Sequence, residues 1–444
     1  MLNGVYATLQ SPKFRSIQEA MDEAGILYSS NPDLSILIWN DSLADVNYFS
    51  NLKPWQIINR IPNINVLCRK FPFSCLLQKI SNFFPDLFSF FPKTFLLPNQ
   101  NQELQDEIDT CEKTYIVKPD GGSLGSGIIF LEPKTSFSPQ KNLAIAQEYI
   151  DSYLIDNKKF DLRIYALVAS IHPLSIYVYH GGLARFCAEE AGGNSRFSKI
   201  TNVTMNKKAA FMEISKISRM LTEVFEIIRR TGVDIDELWR KIEDAIGLTI
   251  VSSYNYISHG QRWFCKPCGY PRCFQILGFD ILLDKQLNPH VLEVNYRPSL
   301  DYFRGVERRM KVTMIREALE IVAPLQDIQT VLLNRQWAWD ELTWESFIMN
   351  NPSLIENFNK GKRKALAKSS FVQVWPSDEP NREIWKDVIA KIKSFHIENI
   401  PGLHFPLSVP TSRSQNFETN PDNQGNENND KSNENTNISN ENIK

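Results

Sequence analysis

The chain has 444 residues, 42% of them hydrophobic and 11% aromatic, with a formal net charge of −2. That length exceeds what one hydrophobic core fills, so two or three lobes are expected, and the small net charge argues against a nucleic-acid or general polyanion binder. No apolar run reaches membrane-spanning length and the N-terminus lacks a charged-then-apolar leader, so a cytoplasmic protein with no membrane segment is expected.

Residues 1–65 combine a helical pattern over Ser16–Ala24 with the strand-like Leu34–Trp39, an N-terminal α/β lobe. Residues 66–180 read as a central lobe. It holds a helix near Leu76–Phe84 and strands at Thr114–Lys118, Gly127–Leu131, Ala144–Ile150 and Asp161–Ala169. A third lobe, 181–325, groups the strand Leu174–Tyr179, helices over Met212–Thr231 and Ile235–Ser253, and a hairpin over 275–295. Residues 326–405 read as a helical extension with a basic run, Lys360–Lys368. Residues 406–444 form an Asn/Glu-rich tail, almost free of large apolar side chains from Thr411, and are expected to be disordered because they bury too little surface to offset chain entropy. The class expected is α+β.

Seven cysteines without framework spacing suit a reducing compartment. Cys265, Cys268 and Cys273, with His259 upstream, permit a zinc site by spacing. One short segment would have to supply every ligand, so reduced structural thiols are the favoured reading.

The hairpin carries the clearest chemistry. Gln275–Leu283 is apolar except for Asp280, Asp284–Pro289 is turn chemistry, and His290–Asn295 is a second strand. A hairpin symmetric about residues 286 and 287 sets Asp280 across from Glu293, with Cβ atoms about 5 Å apart. Asn295 shares the Glu293 face because strands have period two. Two carboxylates and an amide converging in an apolar sheet call for a cation, and hard oxygen donors favour Mg²⁺ completed by nucleotide phosphates. The alternative is a polar cluster facing solvent beside a turn.

Other segments are weaker alone. Lys118 ends a strand and opens a glycine-rich loop over Gly121–Gly127, suited to phosphate oxygens but also to a plain hairpin connection. Gln147, Glu148, Tyr149 and Ile150 close an apolar strand whose backbone is placed to read an adenine edge. Across Lys158–Tyr165, Lys159, Asp161 and Arg163 share one face while Phe160, Leu162 and Ile164 pack inward. A surface salt-bridge ladder has the same pattern. Arg185 and the pair Thr201-Asn202 say little in isolation.

The order of these pieces, from Lys118 through Gln147–Ile150, Phe160–Arg163, Arg185 and Thr201-Asn202 to Asp280…Glu293-Val294-Asn295, resembles the tubulin tyrosine ligase-like family, an ATP-grasp branch, and within it the polyglutamylases. Cys273–Asp284, Leu292–Ser299, Ile58–Pro62, Cys68–Lys70 and Phe91–Thr94 carry the resemblance over roughly residues 5–325. It implies a three-lobed ATP-grasp fold, ATP and Mg²⁺ as cofactors, and tubulin with its acidic C-terminal tails as acceptor of free L-glutamate. The implied reaction phosphorylates a side-chain carboxylate of the acceptor, and an amino group attacks the acylphosphate.

By the same resemblance, Lys70, Lys118, Gly122, Leu124, Gly125 and Gly127 face the phosphates. Gln147, Glu148, Tyr149, Ile150, Lys159, Asp161, Thr201 and Asn202 line the rest of the nucleotide site. Arg163, Arg185 and Glu293 are implied as catalytic. Arg185, Lys207 and Tyr296 are implied for the amino acid, and Asp280, Glu293 and Asn295 for the metal. Leu124, Val203, Tyr296-Arg297 and the stretch Glu189–Ser195 depart from the family pattern, which leaves acceptor geometry open. Glycylation by the same fold, or a non-catalytic microtubule-binding relative, are the rival functions. A monomer acting at the cytoskeleton, in cilia, flagella or basal bodies, completes the expectation. Basic residues Arg304, Arg308, Arg309, Lys311 and Arg316 on a predicted helix, with Lys360–Lys368, suit the steering of acidic tails or simply face solvent.

Overall fold

Three sheets organise the chain in the computed structural model, which describes residues 1–42, 46–121, 127–192, 201, 217–266, 268–334 and 339–403. The first is parallel, ordered β2-β1-β3-β4, with β1 Tyr6–Gln10, β2 Leu27–Tyr28, β3 Leu37–Asn40 and β4 Ile57–Ile58. Helix α1 (Arg15–Ala24) connects β1 to β2 and buries Ile17, Ala20, Met21 and Ala24, the one-sided spacing that its sequence predicts. Helix α2 (Val46–Ser50) lies between β3 and β4.

Helix α3 (Lys70–Ser81) leads into a small antiparallel sheet, ordered β5-β8-β6-β7: β5 Thr94–Leu97, β6 Tyr115–Pro119, β7 Ile129–Leu131 and β8 Ala144–Glu148. Helix α4 (Asn101–Thr110) covers one face of it, around Phe95, Leu104, Ile108, Tyr115 and Val117.

The large sheet runs β12-β11-β10-β13-β14, with β9 (Leu154–Ile155) on β10 and β15 (Phe371–Trp375) on β11. Its long strands are β10 Lys158–Ile171, β11 Leu174–Phe186, β13 Gln275–Leu283 and β14 Pro289–Asn295, and β12 is Ser218–Met220. On one face Phe160, Leu162, Ile164, Phe279 and Ile281 pack with helices α5 (Leu221–Arg229), α6 (Ile235–Ser252), α7 (Tyr254–Phe264) and α12 (Trp385–Ser394). On the other, Tyr165, Leu167 and Ile276 join the first sheet, α1 and α8 (Gly305–Val322). Helices α9 (Gln326–Asn334), α10 (Glu341–Asn350) and α11 (Pro352–Leu366) extend that second core.

Several elements differ from the sequence expectation, each for a tertiary reason. Helix α3 begins six residues before the expected Leu76 because the Asp120 carboxylate accepts the Phe71 N–H at 2.9 Å, a cap supplied from a distant strand end. Ser218–Met220 pairs with Leu183–Arg185 as a strand where a helix was expected, and residues 212–216 lie outside the described residues. Helix α7 was not expected. Its Gly260 is required because a Cβ there would lie 2.8 Å from Pro62 and Asn63. The segment 326–405 contains a strand as well as helices, since β15 extends the large sheet. Residues 404–444 lie outside the described residues, and no helix among those described is long and apolar enough to cross a membrane.

Candidate active site

Asp280 pairs with Glu293 and Gly278 with Asn295 as expected, but beside the turn the register is one residue off a hairpin symmetric about 286 and 287, Ile281 pairing with Val291 and Leu283 with Pro289, and a bulge at Leu292 restores the expected pairing. Asp280 and Glu293 therefore share a face with Asp161, Arg163 and Arg185, all on strands buried by helices behind them. A run of charge on such a face is expensive unless each group is paired.

The pairing is explicit. Arg163 donates to Asp280 through Nε at 2.6 Å and Nη2 at 3.1 Å. Arg185 clasps Asp161 with Nε and Nη2 at 2.6 and 2.7 Å and also reaches Asp280 at 2.8 Å. The Thr201 hydroxyl donates to Asp161. The cations beside the hairpin carboxylates are thus guanidiniums, a partner that the hairpin sequence by itself did not announce. Burial alone would raise the Asp280 carboxyl, but the two arginines overrule it and hold Asp280 well below the usual carboxylate range. Glu293 moves the other way: burial and then the Asp280 charge raise it, with Lys70 and Arg163 opposing. Asn295 Nδ2 approaches Glu293 at 3.4 Å.

Two glycines make this arrangement possible. A Cβ at Gly278 would sit 2.7 Å from Pro298 and 3.4 Å from the Arg163 side chain, and one at Gly182 would strike the Arg163 carbonyl. Both are shaping residues that sequence reasoning passed over. The signal available was a glycine two positions before Asp280, on the same face by strand period.

Three lysines join this group, Lys159 from the same face of the same strand as Asp161 and Arg163. Lys118, on β6, donates to Gln147 Oε1 at 2.7 Å, and Gln147 Nε2 donates to Thr94 at 3.1 Å. Burial pushes Lys118 down to about 8, with Lys70 adding to the fall and Glu293 opposing it. Lys118 is enclosed by protein yet partly open to solvent, as expected of a side chain lining a cleft. Lys159 Nζ lies 3.9 Å from the centre of the Tyr149 ring, and burial likewise pushes it down to about 8. Lys70 opens helix α3. These lysines and two arginines outnumber Asp161, Asp280 and Glu293, so the cleft between the small and large sheets carries a positive surplus suited to a polyanion.

The structure does not bring every expected residue to the cleft in the expected way. Gln147 is committed to Lys118 and Thr94, and the Glu148 carboxylate turns to Lys113 at 2.8 Å. The N–H groups of Glu148 and Tyr149 are bonded to the carbonyls of Lys93 and Thr114, each at 2.8 Å, so neither is free to meet a ligand. Gly127 has φ +74° at the end of the glycine loop, where a Cβ would meet Pro119 at 2.9 Å. Gly122, Leu124, Gly125, Asn202 and Lys207 lie outside the described residues. Tyr296 is half-buried directly after Asn295, its carbonyl accepting from Gln275 at 2.6 Å.

Asp120 is a further residue that the sequence did not single out. It joins the start of the glycine loop to α3 by capping Phe71 and pairing with Arg69, which also donates to the Gly402 carbonyl. The neighbours Lys70 and Lys118 are thereby held together.

The thiols pack into the apolar interior. Cys265 and Cys273 lie in one core, Cys268 in the other, and Cys268 donates to Pro54 O at 3.3 Å. All seven cysteines are free, and among the described residues no group of three or more His, Cys, Asp or Glu side chains forms a metal cluster. A metal on the hairpin must therefore take Asn295 as a third protein donor and keep open positions. That hard-oxygen, incomplete set suits Mg²⁺ and does not suit closed zinc coordination.

The basic residues expected at α8 are mostly paired, and Arg309 is exposed to solvent. Arg308 pairs with Glu19 at 2.9 Å, Arg304 with Glu307, Arg316 with Glu23, and Lys311 is buried against carbonyls. Most of the helix's charge thus goes to α1 and to neighbouring turns. Lys360, Arg363, Lys364 and Lys368 are exposed on and just beyond α11, without ion pairs among the described residues.

The model of the tubulin-tyrosine ligase family matches residues 49–331, a span that contains every residue discussed from Lys70 to Tyr296. Tubulin polyglutamylase TTLL6 of Mus musculus is 33% identical over 327 residues, 71% of this chain and 40% of that protein. A probable beta-tubulin polyglutamylase of Tetrahymena thermophila is 32% identical over 305 residues, 64% of this chain and 25% of its own length. Tubulin polyglutamylase TTLL7 of Homo sapiens is 30% identical over 340 residues, 72% and 38% respectively. The matched stretch thus spans less than half of each of these curated relatives.

Proposed function

The chain belongs to the tubulin-tyrosine ligase family, and from that premise we propose that it is an ATP-dependent tubulin polyglutamylase, joining free L-glutamate to a glutamate side chain of tubulin through an amide bond. Its relatives' names and the positive cleft facing a buried carboxylate hairpin support the reading. The carrying observation is that Lys159, Asp161, Arg163, Arg185, Asp280 and Glu293 share one sheet face, with Lys118 close enough to Glu293 to feel its charge.

In this reading the fold is an ATP-grasp of three lobes, 1–65, 66–180 and 181–325, followed by the 326–405 extension and the 406–444 tail. ATP lies between the small and large sheets. Lys70, Lys118 and the loop carrying Gly122, Leu124, Gly125 and Gly127 bind its phosphates. The stretch Gln147–Ile150, Lys159, Asp161, Thr201 and Asn202 surround the rest. Arg163 stabilises charge on the phosphoryl group in transfer, and Arg185 with Lys207 holds the amino acid's carboxylate. Asp161 keeps the Arg185 guanidinium oriented through Nε and Nη2, which leaves Nη1 for a carboxylate. Asp280, Glu293 and Asn295 hold Mg²⁺, which when bound supplies Lewis-acid neutralisation of phosphate charge. Tyr296 borders the acceptor. No protein nucleophile is required.

The protein acts as a monomer at microtubules, with cilia, flagella or basal bodies as its place of action. Incubating microtubules with the protein, ATP, Mg²⁺ and a glutamate–glycine mixture, followed by intact-mass analysis of tubulin, tests the reading. A ladder of glutamate-residue steps is expected. Glycine-residue steps would make it a glycylase, and absence of both steps and ATP binding would leave a non-catalytic relative.

A further inference from the structure

A cavity of about 110 Å³ opens beside the hairpin, on the side away from the nucleotide lysines. It is lined by Lys13, Asp41, Asn59 and Arg60 from the N-terminal sheet and by Tyr296 and Arg297, which directly follow Asn295. Ile276 also lines it, on the face of β13 that carries Gly278 and Asp280.

Its charge is unbalanced. Arg60 is buried, bonded to the Asn59 carbonyl at 3.0 Å and more loosely to Asp41 at 3.4 Å. Asp41 also accepts from the Lys13 backbone N–H at 2.7 Å and from Trp39 Nε1 at 2.9 Å. Arg297 reaches the Asp41 carbonyl, at 2.7 Å, rather than its carboxylate. One carboxylate thus faces two guanidiniums and a lysine. Burial, with Arg297 adding repulsion and Asp41 opposing, pushes Arg60 down to about 10. An independent sign of a missing partner is Asn59, 2% exposed, whose amide Nδ2 has no hydrogen-bond partner among the described residues although its oxygen accepts from the Asn40 N–H at 2.8 Å. A buried donor left unmade costs about 1–3 kcal/mol, so such groups await a ligand more often than they stay empty.

We propose that this cavity is a carboxylate-binding subsite for an acidic side chain of the acceptor polypeptide flanking the residue that is modified. The proposal rests on the ligase reading above and adds the residues that would select an acidic acceptor. Distance suits a polypeptide acceptor. Gly278 and Ile276 lie two and four residues from Asp280, about 7–13 Å along an extended strand. One residue of extended chain spans at most about 3.6 Å, so an acidic side chain two to four residues along an acceptor that reacts beside Asp280 reaches the Ile276 end of the cavity. The bidentate preference of guanidinium for carboxylate supplies the recognition.

The test uses Arg297→Gln and Lys13→Gln, both at exposed positions outside the catalytic group, singly and together in the full chain. Fluorescence anisotropy, without nucleotide, measures binding of a labelled glutamate-rich peptide and of the same peptide with glutamine at the flanking positions. The double variant is expected to bind the acidic peptide about tenfold or more weakly, the loss of charged hydrogen bonds, while the glutamine peptide and ATP bind as before. Equal losses for both peptides, no loss, or no detectable binding of the acidic peptide by the unaltered protein would overturn the proposal. In a ligation assay the KM for the peptide should rise while that for glutamate stays. A rise in the glutamate KM alone would assign the cavity to the free amino acid and overturn it as well. The binding arm needs no turnover, so failure of the ligase reading and failure of this subsite are told apart.

Discussion

Replacing Glu293 by Gln and, separately, Asp280 by Asn should separate catalysis from stability at the hairpin. The two carboxylates pair directly across an antiparallel ladder, so their Cβ atoms lie about 5 Å apart, a spacing that serves for the charges as well. At an effective dielectric near 20, that repulsion is about 3 kcal/mol. Arg163 and Lys70 offset part of it for Glu293, whose carboxyl is nonetheless raised. Glu293→Gln should therefore leave the fold as stable or make it about 1 kcal/mol more stable at pH 7. The sign follows from linkage: a carboxyl raised in the folded state penalises folding above its folded pKa, and the penalty disappears as pH falls below the unfolded value near 4.5. The gain should accordingly vanish in acid. Asp280→Asn does the reverse, because it strips Arg163 of its carboxylate and Arg185 of one of two. An uncompensated buried guanidinium costs about 3–5 kcal/mol. Turnover should fall at least about a hundredfold in both variants, since each removes a proposed metal donor and the charge stabilisation it supports. Urea unfolding at pH 7 and pH 4, beside a glutamate-incorporation assay, reads both quantities. Loss of more than about 2 kcal/mol in Glu293→Gln would refute the repulsion account, and retained turnover would refute the metal assignment.

Lys118 and Lys159, both pushed down to about 8 by burial, should make ATP affinity fall as pH rises from 7 to 9, about tenfold for each lysine that must be charged. Isothermal titration at the two pH values checks this, and a flat profile would mean that neither lysine meets the phosphates. Without ligand the same shifts run the other way for stability: the unfolded chain binds more protons between about 8 and 10.5, so the fold gains stability across that window. Asp120→Ala removes the α3 cap and the Arg69 pair, and should cost about 1–2 kcal/mol in denaturant unfolding while weakening ATP binding severalfold. Lys360→Glu with Lys364→Glu should weaken microtubule co-sedimentation about tenfold in low salt, with the difference closing as salt is raised. Arg308→Glu, by contrast, should lower Tm through repulsion of Glu19 without moving microtubule affinity; equal effects of the two changes on binding would return the docking surface to α8.

What the sequence determined by itself is what local physics governs. The Asp280–Glu293 register follows from period-two alternation and a turn-forming stretch between adjacent strands, and β13 and β14 reach it through the bulge. Helices α1 and α6 follow from apolar spacing, and α6 also from the cap Asp234, whose carboxylate takes two N–H groups of the first turn. The ordered motifs from Lys118 to Asn295 carried the family resemblance, because each motif is a short segment legible without its neighbours. Partners distant in sequence were a matter for the tertiary structure. The neutralisers of Asp280 lie on β10 and β11, about a hundred residues away, and the cap of α3 comes from Asp120. The same holds for the charges of α8, which a sequence reader counts as free and the fold sets against α1. Arg60 and Arg297 meet over Asp41 only because β3, β4 and the end of the hairpin converge. Side-chain type and spacing fix which face a group presents. Which charge it then meets is set by long-range packing, since burial makes each charged group find a partner from whatever segment the fold brings within reach.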